Sequence, residues 1–278
     1  MPDQSARNAF TGQALRFEWR SRVAVATFTR ADELNSLSLE LVDELRRALQ
    51  MAKAGRAAAL ILTGEGRAFC AGAHLKLFLH ESAPIGTTGA EWRDRYIAPI
   101  AELFDSFEEM PFPVIAAING YALGGGAEMA ISADFRLMSR TAKLGFPETK
   151  LGATPGAGGV QKLIRHLGRT KALAWTILAE QLTAKDLDEA GMLYAVTEPE
   201  DLLAEALKLA EKISRLSPAA VAQAKRSVYV SEDADLRTAR RFGLESLAGL
   251  MGTVEWREGV NAFLEKRPPR FVPDDEAS

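Results

Sequence analysis

The stretch PVIAAINGYALGGGAEMAISAD, residues 113–134, joins an apolar run to three consecutive glycines and then sets Glu128 among Ala, Met and Ile. The run PVIAAIN is short, apolar and β-branched, and so reads as a buried strand. Glycine in a helix costs about 0.5–1 kcal/mol relative to Ala. A carboxylate buried without partners is costly as well. A chain that accepts both within a few residues must use the glycines for a close backbone approach and must give the carboxylate a task.

The remainder of the chain supplies similar pieces. ALRFEWR and RVAVATFT are short alternating or β-branched runs split by a polar step, which predicts a hairpin. SLELVDELRRALQMAKA repeats apolar residues at helical spacing, with Ser38 as its N-cap. AALILT is a second buried-type strand, ending at GEGR. Residues 76–110 are helical in pattern but interrupted by the loop signal SAPIGTTGA. Short strands follow at FRLMS and AKLGF, then the loop GATPGAGG and the helix VQKLIRHLG. From about residue 170 the pattern is almost entirely helical; Thr183 with Asp186 forms a capping box, and Ser217 caps a helix that starts at Pro218. Strand–strand–helix recurs as a unit, so a mixed α/β core with a helical C-terminal extension is expected, and an extension of this size suits packing across a neighbouring subunit.

Several function classes find no support. The 278 residues carry a formal net charge of -3, which gives no general drive toward nucleic acid or an anionic membrane. No lysine-rich helical stripe suggests RNA binding. The single cysteine, Cys70, precludes an intramolecular disulfide framework and suits a reducing compartment. No apolar stretch approaches the roughly 18 residues of a membrane span, and MPDQSARNAFTGQ has neither a signal-peptide core nor a transit pattern. A cytoplasmic protein with a short disordered N-terminal tail over residues 1–13 is expected.

Motif tests narrow the chemistry. GGGAE misses the G-x-G-x-x-G spacing, GATPGAGGV lacks the Lys-Ser/Thr of a phosphate loop, and no G-x-S-x-G elbow occurs. His74, His80 and His166 show no metal spacing, and Cys70 reads as a small buried residue rather than a nucleophile. What remains are two similar turns, RAFCAGAHLK and YALGGGAE, each running from a strand through small residues into a helix start. Taken singly, either could serve tight helix–strand packing. Taken together, two backbone N–H groups from two such turns make an oxyanion hole, which stabilises a carbonyl oxygen as it turns negative. Glu148, in GFPETKLG, also lies between a short strand and a glycine-rich loop. It could form a surface ion pair with Lys150, and Glu128 could sit at a rim. Facing one cavity, the two could instead hold a water, one taking its proton and the other delivering a proton to substrate.

From about residue 14 to 272 the chain resembles the enoyl-CoA hydratase/isomerase (crotonase) superfamily. LTGEGRAFCAGAHLK, PVIAAINGYALGGGAEMAISAD, LGFPETKLGATPGAGGVQKL and the ending REGVNAFLEKRPPRF carry the resemblance. It implies a spiral of ββα units over residues 14–200 and a helical trimerisation region over 201–278, assembled as a homotrimer or a dimer of trimers. It also implies an acyl-CoA thioester as substrate, with no cofactor or metal. The oxyanion donors would be Ala73 and Gly125. Glu128 would activate the water for attack at C3, Glu148 would supply the proton to C2, and Gly156 would help to hold the water. Substrate and CoA contacts are implied at Arg67, Ala71, Gly72, Ala73, His74, Leu75, Lys76 and Gly124, with Lys76 and Arg67 as phosphate partners. Phe263 and Lys266 match positions that reach the CoA site of an adjacent subunit. Retention of both glutamates favours hydration over double-bond isomerisation by Glu148 alone, and over a scaffold that binds without turnover.

Two departures stand out. His74 occupies a position where the family usually has Asp, replacing a carboxylate that braces the turn with a titratable ring. The segment LFLHESAPIGTTGAEWRDRYIAPI looks longer than in short-chain hydratases, and its Phe78, Trp92 and Tyr96 either shape the acyl site or pack as core aromatics. ETKLG and EKRPPR also resemble methylglutaconyl-CoA hydratases, although the basic helical insert of that group is missing.

Overall fold

The computed structural model describes residues 7–79 and 84–272. His80, the start of the SAPIGTTGA loop and residues 1–6 of the expected tail lie outside the described residues.

Strand β1 (Phe10–Thr11) pairs antiparallel with β2 (Leu15–Arg20), which forms the expected hairpin with β3 (Val23–Phe28). Sheet pairing therefore starts four residues ahead of the expected boundary at 14, because Phe10 stacks on Phe17 and gives this short strand an anchor. Helix α1 (Leu39–Ala54) follows, with the Ser38 hydroxyl accepting from Leu41 N–H, and its buried stripe is Leu41, Val42, Leu45, Ala48, Leu49 and Ala52. The next pieces are β4 (Ala59–Gly64), β5 (Ala68–Cys70), the single turn α2 (Gly89–Trp92), a π-helical turn (Arg93–Ile97) and α3 (Ala98–Glu109).

The central unit is β6 (Val114–Ile118), β7 (Tyr121–Leu123) and α4 (Gly125–Ser132). It is followed by β8 (Phe135–Ser139), β9 (Lys143–Gly145) and α5 (Gly159–Ile177), whose helix is broken at Gly168. Two strands then interrupt the region expected to be helical: β10 (Gln181–Thr183) and, after α6 (Ala184–Glu189), β11 (Ala195–Thr197). Each has three residues, too few to show alternation, and owes its extended form to a partner: β9 for β10 and β8 for β11. Helices α7 (Leu202–Ser214), α8 (Pro218–Asp233), α9 (Leu236–Leu250) and α10 (Val254–Leu264) complete the chain. The capping box of Thr183 with Asp186 and the Ser217 cap before Pro218 are both present.

The strands form two sheets, one of order β1-β2-β3-β4-β6-β8-β11 and one of order β10-β9-β7-β5. In the larger sheet β3, β4, β6, β8 and β11 run parallel, and in the smaller one so do β5, β7 and β9. The pairs β4–β5, β6–β7 and β8–β9 thus lay one strand in each sheet before turning into helix, and the turns after β5, β7 and β9 fall at the same end of the smaller sheet. The larger sheet is buried on both faces. Ala24, Ala26 and Phe28 join the main core, while Val23 and Val25 face the α7 residues Leu202, Ala206 and Ala210. Among the described residues no helix is long and apolar enough to cross a membrane.

One polar cluster ties α8 to the core. Lys225 Nζ donates to Asp134 Oδ2 (2.7 Å), Phe107 O (2.6 Å) and Phe112 O (3.0 Å), while Tyr229 Oη donates to Asp134 Oδ1 (2.9 Å). Both charges are almost fully buried. Removing one partner of such a pair leaves an uncompensated charge, so Lys225→Met should lower the unfolding free energy by about 3 kcal/mol. Urea titration at fixed protein concentration measures this, and a loss below about 1 kcal/mol, the range of a surface pair, would contradict the assignment.

Candidate active site

The two glycine turns meet. After β5 the chain passes Gly72 and Ala73, and this turn is held by Ala71 N–H to Leu34 O (3.0 Å) and Leu37 N–H to Gly72 O (2.8 Å). Leu37 and Ala73 form a parallel bridge. After β7, Gly124 adopts φ 52° and ψ -125°, in the left-handed region that a side chain resists, and donates its N–H to Gly145 O (2.9 Å). Helix α4 begins at the next residue. A Cβ on Gly72 would lie 3.1 Å from Gly125 N, and one on Gly125 would lie 4.0 Å from Ala73 N. The amides of Ala73 and Gly125 are therefore neighbours, one of them in the first turn of a helix.

Glu128 lies one turn into α4 and is only 3 % exposed. It is not stranded: its Oε1 accepts from Ala157 N–H (2.9 Å) and Gly159 N–H (2.8 Å) in the GATPGAGG loop. Lys162 approaches from below, bonded to Asp105 (3.1 Å), Glu108 (3.0 Å) and Ser132 Oγ (3.0 Å), and Ser132 Oγ donates to Glu128 O (2.8 Å). Burial pushes the Glu128 carboxyl up, and the amides of Gly159, Ala157 and Gly156 and the Lys162 ammonium oppose that push.

Glu148 sits in the short helical turn Pro147–Leu151 after β9. Gly124 is what admits it, since a Cβ there would stand 2.8 Å from Glu148 Oε1. Its Oε2 is buried with no hydrogen-bond partner, an orphaned acceptor that calls for a ligand or a proton. Burial foremost, and then the nearby Glu128 charge, push its carboxyl up to about 7. Lys150 does not pair with it; its Nζ donates to Ala179 O (2.6 Å).

These groups open on one cavity of about 740 Å³, within the range of pockets that take small-molecule ligands. Of the residues singled out from the sequence, Ala71, Ala73, Leu75, Gly124, Gly125, Glu128, Glu148 and Gly156 line it. Phe78, Trp92 and Tyr96 form its aromatic wall, with Phe78 edge-on to both Trp92 (5.2 Å) and Tyr96 (5.4 Å). Gly72 lies directly beneath, its carbonyl engaged by Leu37. His74 does not line the cavity; its Nδ1 is 2.8 Å from Ser36 Oγ, so the ring braces the turn through a side-chain bond. Arg67 and Lys76 are exposed, and Lys76 Nζ lies 3.5 Å from Glu33. Phe263 is 83 % exposed and Lys266 follows just past α10, both outside the cavity of a single chain. Cys70 is buried with its thiol pushed up to about 12 by burial, which makes it a packing residue. Among the described residues, no cluster of His, Cys, Asp or Glu could hold a metal ion.

A family model described as enoyl-CoA hydratase/isomerase matches residues 18–274. The chain belongs to this family. It is 37% identical over 255 residues to a Dictyostelium discoideum protein named "Probable enoyl-CoA hydratase, mitochondrial", covering 91% of this chain and 89% of the relative. It is 33% identical to the mitochondrial enoyl-CoA hydratase of Pongo abelii, covering 90% and 83%. The crystal structure of an enoyl-CoA hydratase from Bacillus anthracis superposes with a TM-score of 0.87 at 35% identity, covering 93% of this chain and 99% of that one. The expected crotonase-type α/β fold with a helical C-terminal region is thus present.

Glu148 provides a check that needs no substrate. With its carboxyl near 7, infrared difference spectra between pH 5.5 and 8.5 should show a buried protonated carboxyl converting to carboxylate. Glu148→Gln should remove that signal, and a signal that survives the substitution would contradict the assignment.

Proposed function

We propose that this protein is an enoyl-CoA hydratase, adding water across the 2,3 double bond of a 2-enoyl-CoA thioester to give a 3-hydroxyacyl-CoA. The observation that carries the reading is the convergence of two backbone donors, the buried Glu128 and the half-buried Glu148 on one cavity.

The steps follow from that arrangement. The Ala73 and Gly125 N–H groups bind the thioester oxygen and gain strength as it becomes an enolate oxygen, which is where differential stabilisation lowers the barrier. Glu128, with its Oε1 fixed by Ala157 and Gly159, keeps Oε2 for a water that the Gly156 backbone helps to hold. As the water oxygen bonds to C3, Glu128 takes its proton. Glu148, protonated up to about pH 7, gives its proton to C2 and collapses the enolate. The cycle leaves Glu128 protonated and Glu148 ionised, and proton exchange with solvent resets both. One carboxylate accepting and one donating is the division of labour that unequal environments support. Amides and carboxylates supply all of this chemistry, so the reading needs no cofactor, and acyl-CoA enters as substrate.

The remaining roles belong to the same proposal. Arg67 and Lys76 are exposed cations free to reach CoA phosphates once Lys76 leaves Glu33; Ala71, Gly72, His74 and Leu75 form one turn beside the thioester and Gly124 belongs to the other. Residues 201–278 act as the oligomerisation region of a homotrimer or a dimer of trimers, and residues 14–200 as the catalytic core. This is supported by apolar side chains left uncovered on the last two helices, among them Leu236, Val254, Phe263 and Leu264. In such an assembly Phe263 and Lys266 serve a neighbour's CoA site. A cytoplasmic place in fatty-acid or related acyl-CoA catabolism fits the likeness to the Bacillus anthracis enzyme and the free, buried thiol.

Adding crotonyl-CoA should produce loss of the enoyl-thioester absorbance, with longer and branched enoyl-CoAs defining the acyl preference. Glu128→Ala should reduce kcat by roughly 10²–10⁴-fold. Turnover that persists in Glu128→Ala would point to an isomerase working through Glu148, and CoA binding without turnover of any enoyl-CoA would point to a scaffold.

A further inference from the structure

The turn that carries Ala73 is gripped from the cavity wall. Tyr96 is 1 % exposed and lies in the π-helical turn Arg93–Ile97 before α3, a local geometry that recurs at functional sites. Its hydroxyl donates to Leu37 O and accepts from His74 N–H (3.0 Å). Those partners flank the oxyanion donor on both sides, since His74 follows Ala73 in the chain and Leu37 is bridged to Ala73. Leu37 also reaches the second donor: its side chain fills the space beside Gly125, where a Cβ would meet Leu37 Cδ1 at 2.7 Å. The Tyr96 ring meanwhile packs edge-on against Phe78, which ends the short helical turn Leu75–Phe78 that begins just after His74.

We propose that Tyr96 is a positioning residue for the oxyanion hole, fixing the direction of the Ala73 N–H through its hydroxyl bridge between Leu37 O and His74 N–H. The proposal rests on the hydratase reading of the site. Leu37 N–H holds one side of the Ala73 peptide through Gly72 O (2.8 Å), and the Tyr96 hydroxyl ties the other side, His74 N–H, back to Leu37 O where the turn leaves both sheets and runs beside an open cavity. Burial raises the Tyr96 hydroxyl above its ordinary range, so it stays a donor to Leu37 throughout the working pH range. The same side chain forms part of the acyl-pocket wall, so the wall and the donor share one anchor.

Tyr96→Phe removes the bridge and keeps the ring. The expected result is a kcat lower by roughly 10- to 100-fold, a fraction of what losing a whole oxyanion donor costs, with KM changed less than about threefold, the signature of an interaction made in the transition state. An aromatic enoyl-CoA bound to the wild type should show a red-shifted absorbance, since pull on the thioester oxygen extends its conjugation, and the shift should shrink in the variant. In the wild type, whether or not the variant folds, the His74 amide should exchange with solvent as slowly as core strand amides. Unchanged kcat and red-shift in Tyr96→Phe, or fast exchange at His74, would overturn the proposal while hydration stands. A wild type inert toward every enoyl-CoA, binding them with an unshifted spectrum, would overturn the hydration reading and this proposal with it.

Discussion

The site depends on two backbone turns that come together at Gly72 and Gly125. A Cβ on Gly72 would meet Leu123 O at 2.6 Å as well as Gly125 N, so only bare backbone permits the approach. Gly126 is tighter still, its Cβ position lying 1.9 Å from Cys70 O. These contacts press the start of α4 against the end of β5 and leave two N–H groups side by side at the cavity floor. The flexibility cost of three adjacent glycines is offset by the geometry that only they allow, and α4 regains stability through burial of every residue after Gly125.

The second constraint is electrostatic. Once α4 is pressed into place, Glu128 has to be inside the protein, and the glycine loop after Glu148 answers that by lending Glu128 two amides. Glu148 has only its own backbone N–H and keeps one buried oxygen, Oε2, without a partner. Both carboxyls are raised by burial; Glu128 is opposed by three loop amides and the Lys162 ammonium, Glu148 by its own backbone N–H alone. Two chemically identical side chains thereby sit in unequal environments, which is what the proposed division into base and acid requires.

Much of this was legible in the sequence, and the reasons differ by residue. The strand–glycine–helix turns announce themselves through spacing, and a carboxylate in an apolar run has few explanations, so both turns, Glu128 and Glu148 stand out as candidates, while Ala73 and Gly125 as the two donors come from the family resemblance. Ser38, Thr183 and Ser217 caps were equally readable because capping is local. The strands β10 and β11 were hidden within a helical-looking region since three residues become a strand only beside a partner. The supports of the site were hidden for the same reason. The Tyr96 hydroxyl and Leu37 O are 59 residues apart in sequence, Ser36 and His74 are 38 apart, and Lys162 and Ser132 are 30 apart. No pattern in one chain segment announces such bonds. His74 shows the limit from the other side: its identity is visible in the sequence, but its bond to Ser36 is not.

If both carboxylates work on one water beside a single oxyanion hole, proton and hydroxyl reach the substrate from a shared side. Proton NMR of the reaction run in D₂O with crotonyl-CoA observes this directly. The expected product is a 3-hydroxyacyl-CoA carrying one deuterium, at C2 and in a single stereochemical position. Deuterium at C4 with a migrated double bond and no hydroxyl at C3 would contradict it.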